Sequence, residues 1–398
     1  MKRSILLSAA AIAALASCSK TEVKPVEDAP AQISWNAVVG KASTKAMIDG
    51  AKYETSAPSF GTFAYFLQTG DWNNDKANGQ LYIPVSEVKP SGTAKLVWTT
   101  DTPYYWPKAG SLTFFTYSPY NYQETAGGQI PVSIVANSGL TVADYDVNAH
   151  QDTDFMVADA ATDKTKNESN TDYDGVPVAF KHKLSQIVGI NIQTVKGGVL
   201  HDYANGNDGT TGKEFETGDV VFKLKKVQLK DILTKGKYSY ATADPTSDGW
   251  TDQTAEETYV WYNKSAGENF TDNNKFELTF KTYDNARNAY LLVLPQTFSD
   301  PTTVGAVKTS LDIDFDILTC NGNDAAGNAT FSTQNVSSTV YLYNMHCDTH
   351  SSATEHAIAM NKKITYTIKI DLDNNGNTRI YWAPSVEKWE EEAYSTTI

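Results

Sequence analysis

The sequence predicts an all-β protein built from two antiparallel β-sandwich domains, on three observations. Apolar and polar residues alternate with a period of two in short runs along most of the chain. Gly, Asn, Asp and Pro bound these runs, and no stretch carries an amphipathic helical pattern longer than two turns. The length, 398 residues, suits two domains that each close a core of their own.

The first element lies before the fold. Met1 to Ser17 has a positive start at Lys2 and Arg3, then an apolar run from Ile5 to Ala16 too short to span a bilayer comfortably. It ends in Leu15-Ala16-Ser17-Cys18, the pattern of a bacterial lipobox, in which small residues admit the signal peptidase and the cysteine thiol takes the lipid. Residues 1–17 are thus expected to be a lipoprotein signal peptide, with Cys18 the lipidation site. Residues 18–31, with Pro25, Pro30 and scattered charges, read as a polar tether. An N-terminal β-sandwich domain is expected over 32–170 and a C-terminal one over 171–398. The division rests on the polar stretch Asp159 to Gly175.

Within the first domain, Ile33, Trp35, Ala37 and Val39 form one face of an opening strand, and Leu112 to Tyr117 is a β-branched and aromatic strand stopped by Pro119. Val178, Phe180, His182 and Leu184 share a face at the start of the second, and Ile187 to Ile192 follows. Further strands are expected around Phe222 to Val227, Phe276 to Phe280, Tyr290 to Leu294, Leu311 to Ile317 and Ile364 to Ile370. His201 to Asp219, Ala241 to Glu257 and Asn321 to Ala329 are polar and read as long surface loops.

Charge removes several functions. Against 33 basic residues stand 47 acidic ones, a net charge of -14, so no basic stripe is available for nucleic acid. The same balance repels anionic headgroups, leaving the lipid on Cys18 as the route to a membrane. Besides Cys18 the chain has only Cys320 and Cys347. In an oxidising compartment these are a candidate disulfide, closing a loop worth about 3–4 kcal/mol. Two unpaired thiols fit the spacing equally well.

No catalytic signature emerges, and the chain is read as no enzyme and as having no cofactor. Asp371-Leu372-Asp373-Asn374-Asn375-Gly376 matches half a calcium loop, but its twelfth position is Trp382, which supplies no carboxylate. A hairpin turning at Asn375-Gly376 explains it better. Asp312, Asp314 and Asp316 at strand spacing read as a solvated sheet face. His346, Cys347, His350 and His356 lack the second ligand pair a zinc site needs, so no metal is expected. His182 reads as a hydrogen-bonded core histidine. The 22 Tyr and 8 Trp residues could stack on sugars, which keeps a second reading open: a surface lipoprotein that binds glycan or protein and does not polymerise.

Several segments in order resemble the fimbrillin family, lipoprotein pilins and related surface proteins of Bacteroidetes. They are the lipobox, Trp98, Tyr104-Tyr105-Trp106-Pro107, Leu112 to Pro119, Asp154-Phe155-Met156-Val157-Ala158 and Val178 to Ser185. Lys235-Gly236-Lys237-Tyr238, Leu291 to Gln296, Tyr366 to Ile370 and Val386-Glu387-Lys388-Trp389 complete the series. The resemblance implies two tandem transthyretin-like domains and an acylated, palmitate-bearing lipoprotein on the outer membrane and cell surface. It also implies a structural or adhesive pilus subunit whose partners are other pilin subunits, and a host or bacterial surface ligand as a further candidate partner. In this family a protease removes the first strand and a neighbour's strand fills the groove. Carried onto this chain, the removable strand is Gln32 to Val39, with Ile33, Trp35, Ala37 and Val39 facing inward. Family processing commonly uses Arg, but no Arg lies between Arg3 and Arg287, so the basic processing positions are Lys41 and Lys45. The donor strand would be the C-terminal stretch with Trp389, Tyr394 and Ile398, interrupted by Glu390, Glu391 and Glu392.

Overall fold

The computed structural model describes residues 31–39, 59–91, 97–120, 130, 132–151, 153–166, 175–194, 215–241, 248–269, 275–278, 290–345, 356–372 and 378–388. In the first half the elements run β1 (Trp35–Val39), β2 (Phe60–Leu67), the one-turn helix α1 (Trp72–Asp75), β3 (Gln80–Ser91), β4 (Val97–Thr100) and β5 (Ser111–Ser118). They continue with β6 (Val132–Val135), β7 (Gly139–Asp146), β8 (Met156–Ala158), β9 (Ala161–Lys164) and β10 (Val176–His182). The second half holds β11 (Ser185–Thr194), β12 (Val220–Ala241), β13 (Gly249–Asn269), β14 (Lys275–Leu278), β15 (Leu291–Val293) and β16 (Gln296–Thr297). It ends with β17 (Ser310–Asn323), β18 (Ala329–Tyr341), β19 (Ala357–Ile358), β20 (Lys362–Leu372) and β21 (Thr378–Lys388). The all-β class expected from the alternation is the class observed.

In the first sheet the pairings close on themselves. The order β2-β3-β4-β1-β10-β8-β5 returns to β2 through the β2–β5 pair, and β9 lies against β5 beyond β8. One apolar cluster fills the ring: Ile33, just before β1, and Trp35 of β1 meet Phe60, Ile83, Trp98, Phe114, Met156, Val178 and Phe180. Every strand of the ring gives it at least one side chain. β5 is buried along its whole length because its other face packs into a second cluster, with Phe115 and Tyr117 against Phe63, Tyr65 and Leu67. A strand covered on both faces reads as a continuous apolar run, and Leu112 to Tyr117 does so.

The second unit is a sandwich. One layer is β14-β11-β20-β21, with β15 on β11; the other is β18-β17-β12-β7-β6, with β13 on β12. Between them lie Ile187, Ile190, Ile364 and Ile368 from the first layer and Leu224, Val227, Trp261, Ile313 and Phe315 from the second.

Four features differ from what the sequence alone suggests. Two pairs are parallel, β1 with β10 and β11 with β20. Their partners lie far apart along the chain, so no hairpin signal announces them. Residues 249–257, read as part of a loop, belong to β13. Residues 321–323 and 329 extend β17 and β18, leaving a short turn at 324–328. The aspartate row of β17 is half-buried rather than fully solvated, because Lys225 and Lys230 reach it from β12.

Sheet membership crosses residue 170 in both directions. β10, after it, belongs to the ring, while β7, before it, pairs with β12 of the sandwich and carries β6 on its far side. The cluster between the two units is continuous across this exchange, with Tyr145 and Phe155 packed on Tyr238 and Trp250.

Candidate functional site: the first strand in its groove

The N-terminal strand is the element whose placement carries chemistry for assembly. Residues 32–39 contain no charged residue. β1 lies between β4 and β10, in parallel register with β10 from Trp35↔Val176 to Val39↔Phe180. On its other side it runs antiparallel, with Trp35 opposite Trp98 and Gln32 bridged to Tyr105. Backbone bonds secure its leading end: Ile33 N–H donates to the Tyr104 carbonyl at 2.8 Å and Trp106 N–H to the Ala31 carbonyl at 3.0 Å. Val176 N–H donates to the Ser34 carbonyl at 2.7 Å.

The side chains follow the expected alternation. Ile33 and Trp35 are fully buried, Asn36 is exposed, and Ala37 is half-buried against the ring's core. Val39 is placed by its backbone register opposite Phe180. Trp35 meets Phe114 edge-on, with centroids 6.1 Å apart, while Phe60 bridges Trp98 and Phe180 at 5.1 and 5.4 Å. Burying about 200 Å² of indole stabilises the seated strand by about 5 kcal/mol, and Ile33 adds about 2 kcal/mol. Against this, the Trp35 indole N–H finds no acceptor among the described residues, at a cost of about 1–3 kcal/mol.

Sequence reasoning missed Gly175, which shapes the groove. It has φ +86°, and a β-carbon on it would stand 2.7 Å from the Ser34 carbonyl oxygen. Only glycine permits both the backbone conformation and that approach.

Of the other residues singled out, Cys18, Lys41, Lys45, Cys347, Trp389, Tyr394 and Ile398 lie outside the described residues, as do His346 and His350. Cys320 is a buried free thiol packed with Phe215, Val221 and Leu318. β20 and β21 form the expected hairpin, with Leu372 opposite Thr378 and the turn itself outside the described residues. His182 lies in the core, its Nδ1 2.8 Å from the Asp154 carboxylate, both groups almost wholly buried and out of reach of a substrate. Burial, opposed by nearby Asp146, lowers the pKa of His150 beneath the usual histidine value. His356 stacks on Tyr343 and bonds to its carbonyl. Among the described residues no group of three His, Cys, Asp or Glu is placed to hold a metal, and no helix is long and apolar enough to cross a membrane.

Several motif segments prove to be fittings of the seam between the units. Lys183 pairs with Asp248 at 2.8 Å, and Tyr238 O–H donates to the same carboxylate at 2.5 Å. Gln296 accepts from the Leu233 N–H and donates to the Leu233 and Leu294 carbonyls, holding β12 where its register slips.

Comparison with known proteins fits this geometry. The family model described as fimbrillin-like matches residues 63–389. The fimbrium subunit Fim1C of Phocaeicola vulgatus is 25% identical over 402 aligned residues, covering 93% of this chain and 94% of its own. The crystal structure of a fimbrial protein from Bacteroides vulgatus ATCC 8482 shares the fold, with a TM-score of 0.56 at 20% identity. That match spans 90% of this chain and 99% of the other.

Proposed function

Because the chain belongs to the fimbrillin-like family, we propose that it is a structural or adhesive subunit of a cell-surface fimbrium that joins its neighbours by strand exchange. The observation that carries this reading is the position of β1. It is the one N-terminal strand in a ring otherwise built from residues 60–182, and it links β4 to β10. Removing it opens the ring, bares two backbone edges and uncovers the apolar wall of Trp98, Val178 and Phe180. An extended strand from a second subunit restores both the hydrogen bonds and the burial. Such a joint is head-to-tail and does not close, so it propagates.

In this reading Cys18 carries the lipid that delivers the chain to the outer membrane, and cleavage near Lys41 or Lys45 frees the groove. The stretch with Trp389, Tyr394 and Ile398 supplies the donor. β21 supports that last assignment, since among the described residues it pairs with β20 alone and it immediately precedes residues 389–398 in the chain. The mass distribution of a chain cleaved at an engineered site beside Lys45 tests the proposal. Cleaved chains are expected to form ladders of multimers, and a peptide copying Gln32 to Val39 should cap them. Cleaved chains that stay monomeric at high concentration overturn it.

One observation favours the second reading, a glycan- or protein-binding lipoprotein. Tyr82 and Tyr105 are 37% and 41% exposed, side by side, with the Tyr82 hydroxyl donating to the Tyr105 carbonyl at 2.7 Å. A glycan array without hits for the intact chain removes its glycan form.

A further inference from the structure

The long edges of the sandwich differ in charge. β13 carries Asp252, Glu256, Glu257, Lys264 and Glu268, and β21 carries Arg379, Glu387 and Lys388 together with Pro384. Such residues keep edge strands from pairing with other chains. β18 has none of them: its 13 residues, Ala329 to Tyr341, include no charged residue, no proline and no glycine. Among the described residues its pairing partner is β17, on one side only. Thr330, Ser332, Thr333, Gln334, Asn335, Ser337 and Thr339 are exposed.

On the neighbouring strand β17, two of the three aspartates, Asp312 and Asp316, are compensated, while Asp314 lies in register with Ser337. Lys225 and Lys230 stand 3.4 Å from Asp316 and Asp312. β18 itself covers the same carboxylates, Thr339 donating to Asp312 at 2.9 Å and Asn335 to Asp316 at 2.5 Å. Among the described residues, an approaching strand meets the hydroxyls and amides of β18 itself and a backbone row that pairs on its other side only.

We propose that β18 is a lateral self-association edge, at which two copies pair β18 to β18, antiparallel, about a two-fold axis. The occupant it suits is a second copy. The chain carries -14 overall, so two copies repel over most approaches, whereas β18 itself brings no charge to the contact. Serine, threonine, glutamine and asparagine tolerate identical neighbours and hydrogen-bond across a two-fold pair. The edge spans about 40 Å, long enough for a full antiparallel ladder. The contact is isologous and closes at two copies, unlike the head-to-tail joint. In a fimbrium it ties shafts side by side; that consequence, unlike the contact itself, rests on the strand-exchange reading.

The test uses the full chain in mild detergent with its first strand in place, so the head-to-tail joint stays shut. Sedimentation equilibrium is expected to show a concentration-dependent dimer. The pairs Gln334→Lys with Ser337→Lys, and Gln334→Glu with Ser337→Glu, should each weaken it by about tenfold or more, and mixing the two variants should restore it. In the unsubstituted chain, amide hydrogens of residues 332–339 should gain protection from exchange as concentration rises. A chain monomeric at every concentration, a dimer indifferent to the lysines, a mixture that does not recover or protection that stays constant overturns the proposal.

Discussion

At φ +86°, with the place of a β-carbon 2.7 Å from the Ser34 carbonyl oxygen, Gly175 fixes where β10 begins against the first strand. Gly175→Ala is expected to cost about 1–3 kcal/mol, from the left-handed conformation and the displaced backbone together. The loss should be local. Amide hydrogens of residues 34–39 should exchange faster in the variant, while those of β17 keep their wild-type rates; equal acceleration in both would refute the assignment. The residue was invisible as a site in the sequence. It ends a polar stretch and looks like any turn glycine, and what demands it is a strand that lies far upstream. His182 was more legible. Its strand alternation placed it inward, but its partner Asp154 belongs to another strand connection and no spacing rule links the two.

Strands with an unbroken period of two were readable along their length, and strands broken by several slips only in part. Leu311 to Ile317 alternates strictly, and the structure buries each apolar member while Asp312 and Asp316 turn to the lysines of β12. β12 and β13 pair over 22 and 21 residues, yet their register slips at several points. Each slip inverts the alternation, and the positive φ of Asp231, Asp252 and Ala255 falls within this pair. A polar run such as 249–257 then resembles a loop. The first strand is short and regular, so its inward face was legible down to Trp35. There two effects oppose each other. Trp35→Ala should destabilise the ring by about 3–5 kcal/mol, the usual cost of emptying a large core site. Trp35→Phe leaves a smaller void but removes the unpartnered indole N–H, so the two terms nearly cancel and the change should stay within about 1 kcal/mol. Denaturant titration of both variants checks this, and a Phe variant as damaged as the Ala variant would show that the N–H is satisfied in solution.

Across the whole molecule, the polar stretch near residue 170 suggested two tandem units, and the sheets show how they are tied. The ring needs β10 from beyond that point, and β12 needs β7 from before it. A chain cut at 170 therefore leaves each half without strands that the other holds. Residues 32–170 alone lack Val176, Val178 and Phe180 from the ring's core, and β1 and β8 then face unpaired edges. Residues 171–398 alone expose the Tyr238 and Trp250 side of the seam, where Tyr145 and Phe155 normally pack. Neither half should fold when expressed separately, as judged by amide dispersion and cooperative melting. Co-expressed, the two halves should associate and melt in one transition close to that of the intact chain, because the cut removes no pairing and costs only the entropy of joining two pieces. Halves that fold independently would place the essential contacts within each unit. Association into one cooperative body means that force on the first strand's groove is carried through β10 directly into β11 and the sandwich, since only Lys183 and Leu184 separate those strands.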